Sequence, residues 1–174
     1  MKKALYAGSF DPITLGHMNV IGKAMQTFAA LHIGIGKNSA KTGCFDMPER
    51  LAILNQAIEE EIREPIASGR HEEEPCQIST GIFEGSLAKY AREIGATHLV
   101  RGLRQVSDFN DEFALNGAMQ KTAPDLQMVY LICDEKYLHV SSSMAREIFR
   151  LGEHGSWLVG NAAGAALNRK YRAS

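Results

Sequence analysis

Five short apolar runs rich in Val, Ile, Leu or Tyr recur along the chain, each followed by a longer amphipathic stretch, and this alternation constrains the fold more than any other feature. A helix-length segment between two such runs carries the chain back, so that the next strand lies parallel to the last with helices covering the sheet. The runs are Lys3–Gly8, Leu31–Gly36, Cys76–Thr80, Thr97–Arg101 and Gln127–Cys133. Helices are expected over Gly16–Ala29, Pro48–Ile62, Ser86–Ile94 and Asp108–Thr122, with Ser142–Leu151 and Ser156–Arg169 after the last strand. The pattern predicts an α/β fold: a single-domain, Rossmann-like, doubly wound five-stranded parallel sheet with helices on both faces and C-terminal helices, spanning residues 1–174.

Length and charge agree with that reading and narrow the partners. A chain of 174 residues suits one domain. With 19 Lys+Arg against 20 Asp+Glu, the net charge of −1 gives no electrostatic reason to expect a nucleic-acid partner. No apolar run approaches the roughly 20 residues needed to cross a bilayer, and Met1-Lys2-Lys3-Ala4-Leu5-Tyr6 is not an apolar signal segment, so a cytoplasmic protein without membrane contact is expected. Cys44, Cys76 and Cys133 form no CxxC clip and the six histidines no HxxxH or HExxH face, so no protein metal site is expected. The segment Arg63–Pro75, with two prolines, a glycine and Glu72-Glu73-Glu74, reads as an exposed loop.

Local signals mark several helix ends. Asp46 ahead of Met47-Pro48-Glu49 supplies an N-cap acceptor, a first-turn proline and an acidic partner three residues on. Gly95 and Gly152 suit the left-handed residue that closes a helix. In an open parallel sheet, ligands bind beyond the carboxyl ends of the strands where the strand order reverses, which directs attention to the residues after each strand.

Three such segments carry chemistry. Gly8-Ser9-Phe10-Asp11-Pro12-Ile13-Thr14-Leu15-Gly16-His17 joins the first strand to the first helix, where a helix N-terminus offers N–H groups to an anion and His17 would turn its ring toward it. Arg101-Gly102-Leu103-Arg104 ends the fourth strand, and two arginines there can hold phosphates with planar forks. Ser141-Ser142-Ser143 precedes Arg146 at a helix start; serine is a favoured N-cap, and the run also makes an anion cradle. Taken singly, each has a structural explanation. Together, at strand ends, they point to a phosphorylated ligand. The segment contains neither Gly-Lys-Ser/Thr nor Gly-x-Gly-x-x-Gly, which sets aside the Walker and dinucleotide fingerprints.

The element Thr14-Leu15-Gly16-His17 resembles the (T/H)xGH motif of the nucleotidylyltransferase superfamily, and the segments YAGSFDPITLGH, VRGLRQVSDFNDE and VSSSMAREI are similar to those of the phosphopantetheine adenylyltransferase family. The resemblance runs to about Phe149, with departures at Ala7, Asp111, Met119 and Ile82–Leu87. It implies transfer of AMP from ATP to 4'-phosphopantetheine, giving 3'-dephospho-coenzyme A and pyrophosphate, with Mg²⁺ carried by ATP, coenzyme A as a feedback ligand, and a homohexamer. It also implies the following roles. His17, Lys41 and Arg104 are catalytic. ATP is met by Ser9, Phe10, His17, Gly102, Leu103, Arg104, Glu112, Tyr137, Leu138, His139, Val140, Ser141, Ser142 and Ser143. The acceptor is met by Ser9, Lys41, Leu87 and Arg101. Another nucleotidylyltransferase, such as one acting on nicotinate mononucleotide, and a non-catalytic module that holds ATP or coenzyme A, stand as the alternatives.

Overall fold

A computed structural model describes residues 2–37, 43–67 and 76–172. Five strands, β1 (Lys3–Gly8), β2 (Ala30–Gly36), β3 (Gln77–Phe83), β4 (His98–Leu103) and β5 (Gln127–Ile132), form one parallel sheet in the order β3-β2-β1-β4-β5. The chain moves from β1 outward through β2 and β3, then crosses back to build β4 and β5 on the other side. Strand order therefore reverses between β1 and β4, whose register pairs Tyr6 with Val100.

The period of two along each central strand sorts its side chains to two cores. Ala4 and Tyr6 of β1 and Val100 of β4 join the larger core, together with residues of α1 (Leu15–Thr27), α2 (Met47–Ile58), α6 (Ser142–Arg150) and α7 (Asn161–Arg172). Leu5, Ala7 and Leu99 point the other way, onto Ala88 and Ala91 of α4 (Leu87–Glu93) and Met119 of α5 (Val106–Thr122). Both faces are covered, as the alternation of runs requires.

The helix ends follow the local chemistry. Asp46 accepts from Glu49 N at 2.8 Å while the Glu49 carboxylate accepts from Asp46 N at 2.8 Å, a reciprocal cap. Gly95 and Gly152 end their helices at φ +67° and +80°.

Several boundaries differ from the sequence expectation, and three of them change how an element packs. β3 extends to Phe83, past the expected end at Thr80. A side chain at Gly81 would lie 2.6 Å from Tyr90 Oη, so the glycine lets Tyr90 cross the strand. The helix expected to finish at Ile62 passes instead into a wider π turn over Glu59–Arg63 and then α3 (Glu64–Ala67), so the first residues of the expected 63–75 loop are helical. Pro65, which has no N–H to donate to the preceding turn, lies within this continuous helical run directly after the π turn. The last helix begins at Asn161, not Ser156. Leu158 and Val159 are buried before it, and Leu158 O accepts from Leu15 N at 2.9 Å, which pins the start of α1.

Gly102 also serves packing. A Cβ there would lie 2.8 Å from Val20 Cγ2 on α1. Gly102→Ala is expected to lower stability by about 1–3 kcal/mol by forcing β4 and α1 apart; unchanged urea unfolding would show that the two elements yield freely.

Candidate active site

A cavity of about 430 Å³ opens at the carboxyl ends of β1 and β4, the point where strand order reverses. Its walls come from the β1–α1 connection, the end of β4 with the facing side of α5, and the start of α6. Four arginines, Arg50, Arg101, Arg104 and Arg146, line it against three carboxylates, Asp11, Asp108 and Glu112.

The β1–α1 connection is held by stacked rings. Phe10, at φ +41°, folds its ring over Gly8, where a Cβ would lie 3.0 Å from that ring. The ring meets Tyr6 edge-on at 5.3 Å and His17 edge-on at 5.1 Å. Phe10 is 1% exposed, and its ring braces His17 and Tyr6. Burial raises the Tyr6 phenol well above its ordinary range, keeping it neutral.

His17 closes a capping box in an unusual way. Thr14 Oγ1 accepts from His17 N at 3.4 Å, and Thr14 N donates back to His17 Nδ1 at 3.1 Å, with Thr14 Oγ1 2.9 Å from the same nitrogen. A backbone N–H can only donate, so Nδ1 acts as acceptor and the neutral ring carries its proton on Nε2. Loss of hydration on burial, aided by the Arg104 charge, lowers the His17 pKa from 6.5 to about 4. The ring is thus a neutral donor near pH 7. Between pH 6.5 and about 4 the unfolded imidazole binds a proton that the folded one refuses. The His17 contribution to stability is therefore complete above pH 6.5 and declines as pH falls toward 4. Urea midpoints at pH 7.5 and 5 should drop more in the parent chain than in His17→Gln; equal drops would place the titration elsewhere.

The expectation that the start of α1 presents its N–H groups to an anion is met only in part. Leu15 N is taken by Leu158 O and His17 N by Thr14 Oγ1, with Gly16 lining the cavity between them. At α6, Ser141 caps the helix by accepting from Met144 N at 3.1 Å, and Ser142 Oγ donates to Pro12 O at 2.8 Å. Ser143 Oγ receives Arg146 Nη2 at 3.4 Å.

Arg101 in β4 and Arg104 just after it are oriented by carboxylates of α5. Arg101 donates through Nε and Nη2 to the two Glu112 oxygens at 2.7 and 2.5 Å and through Nη1 to Ala7 O at 2.9 Å. Arg104 donates to Val140 O at 2.7 Å, with its Nε 3.6 Å from Asp108.

Of the residues named from sequence, Ser9, Phe10, His17, Arg101, Gly102, Arg104, Glu112, Val140, Ser141, Ser142 and Ser143 line this one cavity. Leu87, Leu103, Tyr137, Leu138 and His139 do not. Leu87 packs on the smaller core, Tyr137 and Leu138 on the larger, and His139 lies against the Trp157 ring at 5.5 Å. Lys41 lies outside the described residues. Sequence reasoning passed over Arg50, which is 8% exposed and donates to Phe45 O at 2.8 Å and Ser9 O at 3.2 Å. A signal was present: Arg50, Ile53, Leu54, Ala57 and Ile58 form one buried helical stripe with a charge at its head.

A family model described as cytidylyltransferase-like matches residues 5–148. The phosphopantetheine adenylyltransferase of Methylococcus capsulatus is 36% identical over 171 residues, 98% of this chain and 97% of that protein. That of Thermomicrobium roseum is 37% identical over 173 residues, covering 98% and 95%. The chain belongs to the phosphopantetheine adenylyltransferase family. A solved bifunctional NMN adenylyltransferase/ADP ribose pyrophosphatase from Francisella tularensis matches 98% of this chain and 51% of its own, with a TM-score of 0.67. At 13% identity that likeness concerns the fold alone, so it lends nothing to the nicotinate-mononucleotide alternative. In the phosphopantetheine adenylyltransferase family, as in this chain, nucleotidyl transfer is the activity to be explained.

Proposed function

We propose that this cavity transfers AMP from ATP to 4'-phosphopantetheine, forming 3'-dephospho-coenzyme A and pyrophosphate. The observation that carries the reading is the convergence on one space of His17, Arg101, Arg104 and the serine-capped start of α6. An oxygen of the acceptor phosphate forms the new bond to the α-phosphorus while the bond from that phosphorus to pyrophosphate breaks. The attacking oxygen is already anionic, so no general base is needed. What the reaction needs is alignment and compensation of growing negative charge.

This chain's residues supply both. Neutral His17 donates through Nε2 to an α-phosphate oxygen, its ring fixed by Thr14 and Phe10. Arg104 and the α6 start hold the nucleotide's phosphates, with Ser9, Gly102 and Val140 beside them. Arg101 and, by family resemblance, Lys41 hold the acceptor. Asp11, Asp108 and Glu112 each face arginines or backbone N–H groups, and among the described residues no cluster of three or more His, Cys, Asp or Glu could hold a metal ion. Magnesium fits as an ion that arrives on the ATP phosphates, which it charge-neutralises while keeping much of its water.

Supplying ATP, Mg²⁺ and 4'-phosphopantetheine should release pyrophosphate and yield 3'-dephospho-coenzyme A, identified by mass. Binding of both without pyrophosphate release would leave a nucleotide-holding module instead. A flat response of turnover between pH 6 and 8 is expected from His17, with a fall only toward its pKa of about 4. A loss of turnover near pH 6.5 that disappears in His17→Gln would contradict the neutral donor.

The proposal extends to a cytoplasmic homohexamer inhibited by coenzyme A, on the strength of the family resemblance. No helix among the described residues is long and apolar enough to cross a membrane. Val106, Phe109, Phe113 and Ile132 leave apolar surface at 87%, 49%, 67% and 67% exposure, which assembly would cover. Light scattering that returns a monomer mass would remove the hexamer, and turnover indifferent to added coenzyme A would remove the feedback.

A further inference from the structure

We propose that Tyr171, in the last turn of α7, is a positioning residue for the cavity: through the Cys44 thiol it holds the Gly43–Phe45 segment where that segment forms part of the wall. The inference deepens the functional reading above and rests on it for the identity of the ligands. Ala163, Ala166 and Leu167 are buried on α7, and Lys170 and Tyr171 follow them at helical spacing on the same face. The buried stripe docks the helix on the larger core, and its last turn ends against the segment that leads into α2. There Cys44 Sγ lies 3.4 Å from Tyr171 Oη, and Lys170 Nζ stands 5.7 Å from the centre of the Phe45 ring. Loss of hydration, and the thiol beside it, push the Tyr171 phenol up to about 12, so the hydroxyl keeps its proton at neutral pH.

The same segment is fastened to the site itself. Asp11 accepts Cys44 N at 2.8 Å and Phe45 N at 2.9 Å, and Arg50 donates through Nε to Phe45 O at 2.8 Å. A side chain at Gly43 would run into the Arg50 guanidinium, so the backbone there packs directly on it. Asp11, Gly43 and Arg50 all line the cavity. In the chain, Gly43 stands two residues after Lys41, to which the family resemblance gives the acceptor phosphate. With the Cys44 N–H spent on Asp11, its side chain is left to meet α7, and Tyr171 is what it meets. A residue near the end of the chain thus bears on a wall built 127 positions earlier. A segment set in place beforehand has less freedom to lose when the acceptor arrives, and that gain belongs to binding and not to the chemical step.

Steady-state assays and thiol labelling test this together. Tyr171→Phe keeps the ring on the larger core and removes only the hydroxyl. It should raise the KM for 4'-phosphopantetheine about threefold or more, the size that one modest hydrogen bond is worth, with kcat and the KM for ATP within about twofold of the parent. Cys44→Ala should do the same, and the double variant should match either single one, because both remove one contact. Iodoacetamide should label Cys44 about threefold faster or more in Tyr171→Phe than in the parent, the same loss read on the thiol itself, with its peptide told apart by mass from those of Cys76 and Cys133. A role in stability alone would lower the melting temperature and leave both the KM split and the labelling rate unmoved, which would overturn the proposal. Multiplicative KM losses in the double variant, or an equal rise in the KM for ATP, would overturn it too. Failure of the parent chain to release pyrophosphate would count against the functional reading, and the labelling rates would then judge the role of Tyr171 by themselves.

Discussion

His17→Ala is expected to turn over on the order of 100- to 1000-fold more slowly than the parent chain, a loss of roughly 3–4 kcal/mol from the transition state, the size usual for a preorganised donor. The argument rests on the proton's location. Thr14 N occupies Nδ1, so the ring has one N–H, and neutrality is enforced by burial and the Arg104 charge. A neutral donor fixed in advance gives its full strength as charge gathers on the α-phosphate, because nothing has to reorganise at that moment. Removing the ring also opens the Thr14 cap and the edge contact with Phe10, so melting must accompany the assay. His17→Asn or Gln, able to donate but without the rigid ring that Phe10 braces, should recover only part of the rate. Turnover within threefold of the parent in His17→Ala, with the melting temperature unchanged, removes His17 from the mechanism.

Asp11→Ala should destabilise the chain by about 3–5 kcal/mol, the usual consequence of deleting one partner of a buried charge pair. Asp11 is 7% exposed and accepts Cys44 N at 2.8 Å and Phe45 N at 2.9 Å. Its oxygens also lie 3.4 Å from Arg50 Nε and 3.8 Å from Arg146 Nη1. Truncation leaves two backbone N–H groups without their acceptor and Arg50, 8% exposed, without a counter-charge. Asp11→Asn restores a neutral acceptor and should lose less. Arg50→Met added to Asp11→Ala should regain part of the deficit, because it removes the stranded charge. Urea unfolding measures all four chains, and a loss below 1 kcal/mol in Asp11→Ala would mean that water replaces the carboxylate at little cost.

Much of the architecture is legible in the sequence itself. The β1 limits, the reciprocal Asp46–Glu49 cap and the glycine ends at Gly95 and Gly152 depend on residues within a few positions of one another, and local chemistry decides them. The three segments singled out for phosphate binding also meet, since each follows a strand or opens a helix at the same edge of the sheet. Where the reading failed, a distant residue had overridden the local signal. The expected strand stops at Thr80, but it continues past Gly81, whose missing side chain makes room for Tyr90, and the helix expected from Ser156 is displaced because Leu158 caps α1. Gly102 lines the cavity as its place at a strand end suggests, while its close packing on Val20 of α1 was visible only in the folded chain.

The sequence alone determined that this chain alternates strand and helix, and which glycines, serines and arginines stand at the strand ends, because periodicity and capping act over a single turn or pleat. Only the tertiary structure decided what those side chains do there. The strand order β3-β2-β1-β4-β5 brings Ala7 beside Arg101, α5 brings Glu112 to the same guanidinium, and α2 and α6 bring Arg50 and Arg146 to Asp11. Those partnerships join residues far apart in the chain, and hydration lost on burial, which makes His17 a neutral donor, exists only once the pocket around it has closed.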